Sequence, residues 1–121
     1  MGGLTTHVLD TALGKPAAAI QLTLWLIDSH SQADIKTALK TVTTNDDGRT
    51  DEPLLSPEEM AVGTYELVFE VGGYFRSYSP NLTEPAFLDQ IPIRFAISDT
   101  HSHYHVPLLV SPWAYSTYRG S

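Results

Sequence analysis

Apolar residues in this sequence alternate with polar ones or run in short blocks, and turn-forming residues cut each block off at close intervals. That pattern has the period of a pleated strand and predicts an all-β fold. Strands are expected at 4–10, 18–28, 37–44, 64–71, 91–98, 103–110 and 113–119, with a short eighth at 51–55. Asn45-Asp46-Asp47-Gly48-Arg49 supplies a turn in which Gly48 is free to take positive φ. Further breaks are expected at 14–16 and 111–112. Ser56-Pro57-Glu58-Glu59 has the form of a helix start, with Ser as N-cap, Pro at N1 and Glu at N3 closing a capping box. Gly63 follows too soon for more than one turn. Residues 73–90 read as a long connector with room for another short turn. Strands of this number and length pack naturally as a two-sheet sandwich.

Size and charge narrow the function. A chain of 121 residues with 42% hydrophobic content is expected to form one domain, 1–121, around a single core. It has no cysteine, which excludes disulfide scaffolds, iron–sulfur clusters, thiolate zinc sites and cysteine nucleophiles. Its 14 acidic and 7 basic residues give a net charge of −7, a field that repels phosphate backbones, so no nucleic-acid partner is expected. The longest apolar runs fall far short of a bilayer span, and "MGGLTTHVLD" lacks the basic start and apolar stretch of a secretory signal. No membrane partner and a cytoplasmic location are therefore expected.

Strand alternation divides the chemistry between faces. On 103–110, Tyr104, Val106, Leu108 and Val110 make a core face, leaving His105, Pro107 and Leu109 on the other. On 4–10, Val8 belongs with Leu4 or Thr6, and His7 joins Leu9 on the opposite side. On 113–119, Ser116 and Tyr118 share a side, with Tyr115, Thr117 and Arg119 opposite. If these strands are neighbours, Leu9, Leu109, Pro107 and Tyr118 form an apolar patch of the kind that marks an interface or binding surface.

Individual signals are open to bland readings. His101, His103 and His105 form H-x-H-x-H, a conceivable zinc array, yet three imidazoles bind weakly without a fourth ligand and an outer shell; no metal is expected. Ser116 lacks the strand–elbow–helix setting of a nucleophilic serine. Arg49 alone reads as a solvated turn residue.

Together, "THVLD" at 6–10, "DGR" at 47–49 and "HYHVPLLVSP…YSTYRGS" over 103–121 resemble the 5-hydroxyisourate hydrolases, the transthyretin-like enzymes of urate degradation. "DTALGKPAA" at 10–18 and "GTYELVFEVGGYF" at 63–75 fit as well, and the ending Tyr118-Arg119-Gly120-Ser121 is the most specific element. Departures fall in 29–36, 52–61 and 77–90. The resemblance implies a transthyretin-type sandwich of two four-stranded sheets, a homotetramer with sites at the dimer–dimer interface, no cofactor, and hydrolysis of 5-hydroxyisourate. It implies active-site roles for His7, Arg49 and His105, with Ser116 and Tyr118 also on the substrate. Such chemistry needs a base for water, a cation at the developing oxyanion and groups that orient a flat polar heterocycle. His7 or His105 suits the first and Arg49 the second. Arg119 is expected to anchor the terminus. Two rivals share the pattern: a non-catalytic transthyretin-type carrier, which should lack the polar set, and an immunoglobulin-like adhesion module.

Overall fold

The computed structural model describes residues 2–29 and 32–120. Its strands are β1 (Gly3–Asp10), β2 (Lys15–Pro16), β3 (Gln21–Asp28), β4 (Ile35–Thr43), β5 (Gly63–Glu70), β6 (Gln90–Ile97), β7 (His103–Val110) and β8 (Tyr115–Thr117), with one α-helix, α1 (Val71–Tyr78). They form two four-stranded sheets, ordered β2-β1-β7-β8 and β4-β3-β5-β6. Among the described residues only the β1–β7 pair is parallel, with Thr5 beside His105 and His7 beside Pro107. That pairing sets two chemically loaded strands side by side.

The core faces follow the alternation. Leu4, Thr6, Val8 and Asp10 of β1 and Tyr104, Val106, Leu108 and Val110 of β7 are buried. The apolar ones among them meet Leu22, Leu24, Leu67, Phe69, Ile91 and Ile93 of the second sheet in one cluster. Each such large apolar side chain contributes about 1.5–3 kcal/mol relative to exposure. Ser56 and Glu59 close the expected box, the Ser56 N–H donating to Glu59 Oε1 at 2.9 Å, and the 3-10 turn Pro57–Glu59 goes no further.

Four details differ from expectation, each for a physical reason. The start of the 73–90 connector is a two-turn helix, α1, whose Val71, Tyr74 and Phe75 bury one face. Gly72 and Gly73 disguise it, since glycine is a poor helix former. Gly72 is nonetheless required, because a Cβ there would strike the Asp89 side chain. The strand expected at 18–28 begins only at Gln21, since Ala19 takes φ 63° and Thr44 holds the preceding backbone, accepting from Ala19 N–H and Ile20 N–H at 2.9 Å each. The eighth strand is β2, not 51–55, which makes a single bridge between Leu55 and Leu4.

The last strand is also shorter than 113–119. The register places Pro107 opposite Tyr118, where a continuing ladder asks for an N–H that proline lacks. The Pro107 carbonyl takes the Thr117 hydroxyl instead, at 2.7 Å, and β8 stops there. Pairing resumes only at Gly120, which bridges to His105.

Candidate active site

The segment after β4 runs along the edge of β1 and is tied to it at both ends. Val8 N–H donates to the Gly48 carbonyl at 2.8 Å, while Leu4 N–H donates to Leu55 at 3.0 Å and Leu54 N–H to Leu4 at 2.8 Å. Asn45 builds the turn, its Oδ1 accepting from Asp47 N–H (3.0 Å) and Arg49 N–H (3.1 Å). Gly48 sits at φ 75°, and a Cβ there would collide with the Val8 carbonyl, so the predicted positive-φ glycine is also a close-approach glycine. Between the two ties, residues 49–53 form one wall of a cleft of about 520 Å3. Thr5, His103 and His105 line the other, and Arg49, Asp51 and Glu52 face them.

Within this cleft His105 is half-buried and its Nδ1 lies 2.8 Å from the Thr5 hydroxyl. Burial, and then the charges of Arg49, His7 and His103, hold its imidazole below the ordinary value of 6.5, so it stays neutral and basic. Arg49 makes no ion pair among the described residues, which leaves its guanidinium available to an oxyanion. His7, on the same outer face of β1, approaches the Asp47 carbonyl with Nε2 at 2.8 Å. A carbonyl only accepts, so His7 Nε2 carries a hydrogen and donates it to Asp47.

His7, Arg49 and His105 thus come within electrostatic reach of one another. Ser116 pairs with Leu109 and is exposed on that outer face, outside the residues lining the cleft. Tyr118, 60% exposed, lines a second cleft between β6 and β8. A single protomer therefore does not gather all five. Arg119 stacks on the Tyr104 ring at 4.0 Å and donates to the His103 carbonyl at 3.4 Å, an anchoring contact. The final residue of the YRGS ending, Ser121, lies outside the described residues.

His101 precedes β7, its N–H bonded to Asp99 Oδ1 at 2.9 Å, and does not continue the row of His103 and His105. Among the described residues no three metal-binding side chains are clustered. No helix among them is long and apolar enough to cross a membrane. The sequence reading did not single out Thr5, because what makes it a site residue is the parallel register beside His105, which one sequence does not disclose.

Known proteins resemble this chain in sequence and fold. The profile of the HIUase/Transthyretin family matches residues 4–120. A 5-hydroxyisourate hydrolase of Rhizobium meliloti is 55% identical over 99% of this chain and 97% of its own. The structure of Klebsiella pneumoniae 5-hydroxyisourate hydrolase superposes with a TM-score of 0.78 at 30% identity, covering 100% of both chains. A crystal structure of (S)-allantoin synthase gives a TM-score of 0.89 at 45% identity over 99% of this chain, which spans only 44% of that longer protein. The chain belongs to the HIUase/transthyretin family.

Proposed function

We propose that this chain hydrolyses 5-hydroxyisourate to 2-oxo-4-hydroxy-4-carboxy-5-ureidoimidazoline. The observation that carries this reading is a half-buried imidazole, His105, on the same cleft as Arg49, whose guanidinium makes no ion pair among the described residues. His105 takes a proton from water as the water oxygen adds to a ring amide carbonyl. Arg49 stabilises the oxyanion, the C–N bond breaks, and the proton passes to the departing ring nitrogen. General-base help of this kind is worth about 10²–10⁴ in rate. His7, its Nε2–H held by Asp47, orients the substrate edge. The reaction uses no cofactor.

The same reading makes the enzyme a cytoplasmic homotetramer, in which Ser116 and Tyr118 complete the substrate site across the dimer–dimer interface. What supports this is the outer face of β1 and β7, where half-buried Leu9 and Leu109 are neighbours beside exposed Ser116, and the 60% exposure of Tyr118, which stands in the second cleft rather than on that face. The test is direct. Urate and urate oxidase generate 5-hydroxyisourate in situ, and its absorbance is followed with and without the protein. Accelerated decay is expected, saturable in substrate; decay at the buffer rate, with ligand binding intact, establishes the carrier instead.

A further inference from the structure

The reading of His105 as base carries a condition on one hydrogen atom. A neutral imidazole bears a single N–H, and Nδ1 of His105 faces Thr5, so the ring acts as a base toward the cleft only if that hydrogen sits on Nδ1 and Nε2 is bare. The Thr5 hydroxyl contacts a second imidazole as well: its Oγ1 is 2.8 Å from His105 Nδ1 and 3.1 Å from His103 Nε2. A hydroxyl has one hydrogen and two lone pairs, so it can donate to at most one of the two rings, and using that hydrogen within the pair makes it an acceptor from the other. Two chains are available, running in opposite directions, and they give His105 opposite tautomers.

We propose that Thr5 is a positioning residue for the hydrolysis, accepting the Nδ1–H of His105 and donating its own hydrogen to His103 Nε2, so that His105 presents a bare Nε2 to the cleft. This inference rests on the proposed hydrolysis. Electrostatics choose the direction. Arg49 lines the same cleft as His105 and favours a lone pair, not an N–H, on the cleft side of the ring. The other charged or titratable groups facing the pair are His7 on β1, Asp51 and Glu52 on the opposite wall, and Arg119 at the His103 carbonyl.

Two features make the arrangement rigid. Thr5 is β-branched and sits mid-strand, beside His105 in the parallel register, so its hydroxyl has few rotamers. Gly120 closes on the other side of the imidazole: its N–H donates to the His105 carbonyl at 2.7 Å, and a Cβ added to it would lie 2.8 Å from His105 Cδ2. Thr5 and Gly120 thus both hold His105, one through its ring and the other through its backbone carbonyl.

Long-range ¹H–¹⁵N spectra of the histidine side chains, read beside steady-state kinetics, decide the matter. In the wild-type protein above the imidazole titration, His105 and His103 are both expected to carry hydrogen on Nδ1. Thr5→Val keeps the shape and deletes the hydroxyl. It should mix the His105 tautomers and lower kcat by about ten- to a hundredfold, the range in which orienting partners of an imidazole act, with KM little changed. Thr5→Ser should restore both. A wild-type His105 protonated on Nε2 overturns the proposal even if Thr5→Val fails to fold, and so does a Thr5→Val variant with unaltered tautomer and kcat. If His105→Asn retains full turnover, the base assignment is what fails, while the spectra still report whether Thr5 sets the tautomer.

Discussion

Substituting Gly120 by alanine adds one methyl group, and the structure says where it goes. The new Cβ would stand 2.8 Å from His105 Cδ2, 3.2 Å from its Cβ and 3.3 Å from its Cγ, where ordinary contact begins at 3.4 Å. The shortest contact is thus deficient by about 0.6 Å. His105 cannot yield freely, being held to Thr5 on its other side and to Gly120 through its own carbonyl. Overpacking of this kind costs about 1–3 kcal/mol, or a fall in Tm of roughly 3–6 °C per kcal/mol for a domain of this size. The catalytic effect should be larger, because displacing a reacting group by about 1 Å costs up to ~10²-fold. Gly120→Ala is therefore expected to lose ten- to a hundredfold in kcat with a small change in KM, measured by decay of 5-hydroxyisourate at a temperature where the variant is fully folded. A variant with wild-type kcat shows that the terminal segment does not fix the imidazole, and refutes the reasoning.

Two other perturbations probe separate parts of the account. Arg49→Gln removes a positive charge that disfavours the imidazolium of His105, so the His105 titration moves up from its depressed position, and the acid limb of the kcat–pH profile moves to higher pH. Relative activity at the acid end falls, and kcat/KM drops across the range; an unmoved or lowered limb contradicts the assigned field. Tyr74→Phe deletes the hydroxyl that donates to the buried Asp10 Oδ2 at 2.7 Å, leaving that oxygen short of a partner. A loss of about 1–3 kcal/mol in denaturant unfolding is expected, with kcat preserved, since Asp10 faces the core rather than the cleft.

Much of this molecule was legible in its sequence, and the failures are instructive. Alternation placed Val106 and Leu108 inward and His105 outward, and the turn at Asn45–Arg49 was read with its positive-φ glycine. Helix α1 escaped because Gly72 and Gly73 lower local helix propensity, Gly72 being needed for its close approach to Asp89. The early end of β8 follows from Pro107 on the neighbouring strand, a pairing effect that no reading of 113–119 alone contains. The site divides in the same way. His7, Arg49 and His105 were proposed from residue type and motif, and the structure brings them near one another, whereas Thr5 and Gly120 meet His105 through cross-strand neighbours 100 and 15 residues away. Local pattern discloses faces and turns; register discloses which side chains meet.

The central assignment, that His105 removes the proton from water while His7 orients the substrate, is tested most directly by kcat against pH for His105→Asn beside His7→Asn. The account predicts that His105→Asn falls by about 10²–10⁴ and loses the acid limb of its profile, while His7→Asn keeps that limb with a weaker KM. A His105→Asn enzyme that turns over near the wild-type rate, with its acid limb in place, contradicts it.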